Sequence, residues 1–252
     1  MITETTSAEL RQILRRLKLG PILETLPERL QLASQQKPAY QDFLELVLAD
    51  EVARRDRIGG ELRARTARLD AAMRLESWDQ STSVAFDRQL WNQLCSLRFL
   101  EEPAGVIILG PVGVGKTMLA SCLGHIACRR RHSVLFWRTD QMLKRLKAAR
   151  LDNTYEQELR RLLRVDLLIL DDFALQTLDG LETHDFYEIV VERHRRSSTV
   201  ITSNRDPSEW LAMMADPMLA QSAVDRLVNS AYELLLDGPS YRSRQKPAQA
   251  RS

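Results

Sequence analysis

The stretch Gly110-Pro111-Val112-Gly113-Val114-Gly115-Lys116-Thr117 fits the pattern GxxxxGK[ST]. A short apolar, β-branched run, Gly105 to Leu109, enters it, and an apolar helical pattern beginning at Met118 leaves it. Strand, glycine loop and helix in that order are the context a phosphate cradle requires. The glycines at 110, 113 and 115 let the backbone turn tightly so that successive amides point inward, and the helix N-terminus adds the positive end of its dipole. Residues Gly110 to Met118 are therefore expected to hold a nucleoside triphosphate, with Lys116 bridging the β- and γ-phosphates and the Thr117 hydroxyl facing Mg²⁺.

Four more short apolar runs follow the same logic: Ser133 to Trp137, Asp166 to Leu170, Ser198 to Thr202 and Ala231 to Leu236. Helical patterns fill the gaps, which predicts an α/β fold, a five-stranded parallel sheet covered by helices on both faces. A chain of 252 residues, 44% hydrophobic, has room for such a domain and one smaller one. The first third reads as helices. Thr6 and Glu9 have capping-box spacing before Leu10, Ile13, Leu14 and Leu17, with a stop at Gly20-Pro21. A second helix runs through Ile22, Leu26 and Leu30, and a third starts after Pro38 and breaks at Gly59-Gly60. The polar passage from Glu76 to Thr82 reads as a linker. The expected organisation is a helical domain over 1–77, an α/β domain over 78–238 and a basic, disordered tail over 239–252.

No apolar run approaches the roughly 18 residues of a membrane-spanning helix, and the N-terminus has no apolar core of a secretory signal, so a cytoplasmic protein is expected. Three cysteines and four histidines match neither a disulfide framework nor a zinc motif. The net charge is only +2, but the bases are clustered. Seven arginines between Arg54 and Arg74 face three acids, and eight bases between Arg129 and Arg150 face Asp140 alone. Such clusters suit a polyanionic partner, although each is also what a solvated helix face looks like.

A second chemical element is Leu167-Leu168-Ile169-Leu170-Asp171-Asp172, an apolar strand ending in two carboxylates. A buried strand delivers an acid to the sheet edge beside the phosphate loop, where Asp171 can hold the Mg²⁺ shell and Asp172 can orient or deprotonate water.

Together with Ser198-Thr-Val-Ile-Thr-Ser-Asn204 and Asp225-Arg226-Leu227, these motifs resemble an AAA+ P-loop NTPase of the initiator and helicase-loader clade. The lead-in Tyr40-Gln-Asp-Phe-Leu-Glu-Leu-Val-Leu, the arginine run after it and the string LLILDDFA are more narrowly similar to IstB, the ATP-binding helper of insertion-sequence transposition. The resemblance runs from about Leu10 to Leu236. It implies an ATPase using ATP and Mg²⁺, with Asn204 at the γ-phosphate or its water. Read alone, Asn204 before Arg-Asp-Pro is a good turn former. It further implies Arg226 as an arginine finger inserted into a neighbouring subunit's site, Arg205 and Arg193 being alternates. Implied partners are a homo-oligomer with ATP at its subunit interfaces, double-stranded DNA bound through its backbone, and a cognate transposase; a loader of a replicative helicase is the alternative. The family usually has Glu where this chain has Asp172, which implies slow hydrolysis, and only 26 residues follow Arg226, too few for a full helical lid. Lys144, Arg145, Lys147 and Arg150, on a helix after the second strand, are the expected DNA contacts, with Arg54, Arg55 and Arg57 in the helical domain.

Overall fold

A computed structural model describes residues 6–78 and 84–241. The chain divides into two compact units, Met1–Gly59 and Gly60–Ser252. The first is helical: α1 (Ala8–Arg16), α2 (Ile22–Gln36) and most of α3 (Tyr40–Thr66). Ser7, one residue after the expected Thr6, caps α1, its Oγ accepting from the Leu10 N–H at 3.1 Å. Ile22, Leu26 and Val47 form its small core.

The second unit begins inside α3, and this corrects the expected boundary at residue 77. Ala64, Ala67 and Leu69 are buried in the α/β core, and the Phe136 N–H donates to the Ala67 carbonyl at 2.8 Å. Gly59 and Gly60 do not break the helix either. A Cβ at Gly60 would lie 3.4 Å from the Arg129 Cα, an ordinary van der Waals contact. Most of the expected linker and tail, residues 79–83 and 242–252, lies outside the described residues.

After α4 (Arg88–Cys95) and α5 (Arg98–Glu101), strands and helices alternate: β1 (Gly105–Leu109), α6 (Lys116–Arg129), β2 (Val134–Arg138), α7 (Thr139–Leu151), α8 (Tyr155–Arg164), β3 (Leu167–Asp171), α9 (Gly180–Arg193), β4 (Ser198–Ser203), α10 (Pro207–Trp210), α11 (Pro217–Asn229) and β5 (Ala231–Leu235). The five strands form one sheet in the order β2-β3-β4-β1-β5, every pairing parallel. Side chains alternate between two cores, as a strand's twofold period demands. Val106, Ile108 and Ile169 face the core that holds α6, whereas Ile107, Leu168 and Leu170 face the one built with α7, α8, α9 and α11. Burial on both faces explains why these strands read as unbroken apolar runs.

A candidate nucleotide site at the sheet's loop end

The loop after β1 and the carboxylates after β3 meet at the carboxyl end of the sheet, with β4 between them. Gly110, Gly113 and Gly115 adopt φ of 147°, 82° and 110°, so each sits where a side chain would strain the backbone. Gly115 caps the start of α6, and Lys116 and Thr117 form its first turn. The Lys116 Nζ donates to the Gly110 and Pro111 carbonyls at 2.8 and 2.9 Å, folded across the loop. Together with Thr117, Asp172 and Asn204 it lines a cavity of about 480 Å³.

Asp171 is the hub. Its carboxylate is 3% exposed and accepts from the Thr117 hydroxyl at 2.9 Å and the Thr202 hydroxyl at 2.5 Å. Burial pushes its pKa above the usual carboxylate range; hydrogen bonds from Thr202 and Thr117 and the charge of Lys116 oppose that shift, while the Asp172 charge adds to it. A buried carboxylate next to an alcohol is a hard-oxygen donor pair suited to Mg²⁺. Asp172 bends out of the strand at φ 55°, its N–H donating to the Thr202 Oγ1 at 3.0 Å. Its carboxylate lies 3.9 Å from the Arg138 Nε, and the residue lines the cavity.

The cavity also has an apolar and aromatic lining: Ala72, Met73, Trp78, Val84 and Tyr241. Leu94 is fully buried, Leu90 packs against the same core, and Phe86 meets the Trp78 ring edge-on at 6.1 Å. Trp91, Trp137 and Trp210 are buried, while Trp78 borders the cavity.

The sequence matches the family described as IstB-like ATP binding protein over residues 12–249. The chain belongs to that family. A Mycobacterium tuberculosis protein named for ATP binding in an insertion sequence is 36% identical over 96% of this chain and 97% of its own length. The IS21 counterpart from Pseudomonas aeruginosa is 34% identical over 94% of this chain and 90% of its own. Among solved structures, the DnaC helicase loader superposes with TM-score 0.56 at 19% identity over 66% of this chain and 98% of its own. AMPPCP-bound DnaA from Aquifex aeolicus gives 0.54 at 22% identity over 66% of this chain and 50% of its own. This IstB-like chain is thus an ATP-binding protein and ATPase whose α/β domain shares the P-loop fold of those structures.

The IstB-like chain places its other candidate residues less uniformly. Arg226, on α11, donates to the Ser222 carbonyl at 2.7 Å and does not line the cavity of its own chain. Arg205 donates to the Ala174 carbonyl at 3.0 Å and pairs with Glu209. Arg193 is no finger: 2% exposed, its guanidinium donates to the carbonyls of Leu162, Leu163, Val165 and Ser198 and to the Thr199 hydroxyl, and burial lowers its pKa to about 10.

Each of the expected DNA contacts on α7 has a carboxylate partner. Lys144 pairs with Asp140 at 3.5 Å, Arg145 with Glu158 at 2.6 Å and Lys147 with Asp179 at 2.7 Å. Arg150 turns inward to the buried Asp185, its guanidinium 3.7 Å from the Tyr155 ring centre, which makes it part of the packing between helices instead of a surface base. In the helical unit, Arg54 and Arg55 both clamp Glu51 at 2.7 Å, while Arg57 is exposed. Sequence reasoning passed over Arg138, Thr202, Trp78 and Tyr241. For Thr202, the signal was legible: a hydroxyl on a buried strand beside the acidic one.

Proposed function

We propose that this ATPase assembles with ATP and Mg²⁺ on double-stranded DNA and helps its element's transposase engage a target. The observation that carries the reading is the junction of Lys116, Thr117, Asp172 and Asn204 around one cavity, with Asp171 hydrogen-bonded to Thr117, in a chain whose relatives are named for ATP binding in insertion sequences. Bound Mg²⁺ would supply positive charge to the β- and γ-phosphates, and Thr117 and Asp171 are the residues suited to hold it. Lys116 compensates phosphate charge, Asn204 orients the γ-phosphate or its water, and Asp172 accepts the water's proton. Asp172 is one methylene shorter than glutamate and engaged by Arg138, so slow turnover follows. Arg226 lies off its own cavity, so a finger role requires a neighbouring subunit.

DNA contact fits α8 better than α7. Arg160, Arg161 and Arg164 are exposed on α8 and, among the described residues, have no carboxylate within ion-pair distance, whereas the α7 bases are already compensated. Free bases are the ones that release phosphate counterions.

The test is sedimentation with ATP-Mg²⁺ and a duplex of several tens of base pairs. A large complex is expected from the wild type and from Asp172→Asn, and none from Lys116→Ala. Replacing Arg160, Arg161 and Arg164 with alanine should flatten the salt dependence of log K by about 2–3, since each phosphate contact contributes about 0.9. Assembly that ignores duplex and needs a helicase would move the chain to the loader role.

A further inference from the structure

The chain after β5 returns across the phosphate loop. The Leu236 N–H donates to the Leu109 carbonyl at 2.8 Å, extending the sheet by one rung. Asp237 and Ala85 then exchange two hydrogen bonds, 2.8 and 2.9 Å, tying this segment to the stretch that follows Trp78 and Val84. Gly238, at φ 154°, turns the chain, and the Tyr241 N–H donates to the Gly113 carbonyl at 2.9 Å. The crossing is tight. A Cβ at Gly113 would lie 2.1 Å from the Ser240 Oγ, and one at Gly110 would lie 2.4 Å from the Leu236 carbonyl oxygen. Two loop glycines therefore meet a steric demand from this strap in addition to their own backbone angles.

The cavity is lined by polar residues, Lys116, Thr117 and Asp172, and by apolar and aromatic ones, Met73, Trp78 and Tyr241. The loop amides and Lys116 suit the phosphates, which leaves the apolar and aromatic lining for the base and ribose. Trp78 is already anchored there, two of its ring carbons 3.0 Å from where a Gly115 Cβ would stand. Tyr241 enters from the strap, with 37% of its surface exposed, on a backbone pinned to the loop itself.

We propose that the strap from Asp237 to Tyr241 is a nucleotide clamp, and that the Tyr241 ring contacts the base–ribose part of the bound nucleotide. The inference rests on nucleotide binding at this cavity and adds a residue to it. An aromatic wall holds a nucleotide by stacking and by excluding water, so its loss acts on dissociation before it acts on chemistry. The Asp237–Ala85 bridge anchors the strap to the segment that brings Val84 into the cavity lining.

The experiment is calorimetric titration of the full chain with ATP-Mg²⁺, together with steady-state hydrolysis. Tyr241→Ala should weaken binding about tenfold and raise KM in proportion, with kcat at saturating ATP changed less than about twofold. Tyr241→Phe should bind within about twofold of wild type, because the ring and the backbone N–H are both retained. An unaltered unfolding midpoint without nucleotide shows that Tyr241→Ala leaves the fold intact, and Tyr241→Leu serves if it does not. Wild-type affinity in the alanine or leucine variant overturns the clamp while leaving the nucleotide site standing. A phenylalanine variant as weak as alanine overturns the ring contact. A wild-type chain that takes up no ATP overturns the site itself.

Discussion

The helical unit and the α/β unit owe their internal cohesion to different physics. In the α/β unit the central strands are buried on both faces, and Phe173, Phe186 and Trp210 stack into a dry cluster with centroids 4.6 and 4.8 Å apart. In the helical unit the fully buried apolar residues of the core are Ile22, Leu26 and Val47, and the apolar stripes around them stay open: Ile13, Leu17 and Leu44 are more than half exposed. Ion pairs stand in for the missing core. Arg29 meets Asp50 at 2.7 Å, and Arg54 and Arg55 converge on Glu51. Dispersion and apolar burial hardly respond to pH, whereas a carboxylate shared by two guanidinia responds strongly. The units should thus fail under different stresses.

The largest effect should come from emptying the dry cluster. Trp210→Ala removes a fully buried ring and its hydrogen bonds to the Ser203 hydroxyl and the Arg205 carbonyl, and should cost about 3–5 kcal/mol, read as the denaturant midpoint of the α/β unit. Next is Glu51→Gln, expected to cost about 1–2 kcal/mol and to act on the helical unit. The Arg54 hydrogen bond, followed by that of Arg55, lowers the Glu51 pKa to about 2. With the folded pKa below the unfolded one, its stabilisation is complete above about 4.5 and is lost as pH falls toward 2. Helix content followed through an acid titration should therefore drop over that window in the wild type and lose this component in Glu51→Gln.

The smallest effect has the opposite sign and lies in the α/β unit. The Asp171 pKa is raised by burial, so its favourable contribution exists at low pH and is lost as pH rises through the folded value. At neutral pH its ionised form is a cost, offset only in part by Thr202 and Thr117. Asp171→Asn should raise the melting midpoint of the nucleotide-free protein by about 2–4 °C while weakening Mg²⁺-dependent ATP binding. A lowered midpoint would mean that the hydroxyl network outweighs desolvation.

The sheet was almost wholly legible before the structure. Each of the five strands begins within one residue of its apolar run, because burial on both faces leaves no other reading for strings such as GVIIL and LLILD. The phosphate loop was legible because its glycines answer to backbone angles. What stayed hidden depends on residues distant in sequence. Arg145, Lys147 and Arg150 find Glu158, Asp179 and Asp185, separated by 13, 32 and 35 positions, so their local run of bases looked uncompensated. Gly59 and Gly60 read as a helix break because glycine is a poor helix former, yet α3 runs through both. The segment Asp237-Gly-Pro-Ser-Tyr241 has no periodicity, and its place over the loop comes from a handful of backbone hydrogen bonds.

Arg193 gives the sheet a fixed end. One guanidinium gathers the turn before β3 and the first residues of β4, through acceptors on Leu162, Leu163, Val165, Ser198 and Thr199, at the edge opposite the phosphate loop. In mechanical terms β3 and β4 are two levers riveted at one end. The rivet and the Asp171–Thr202 hydrogen bond thus hold the two strands together at opposite ends of the sheet.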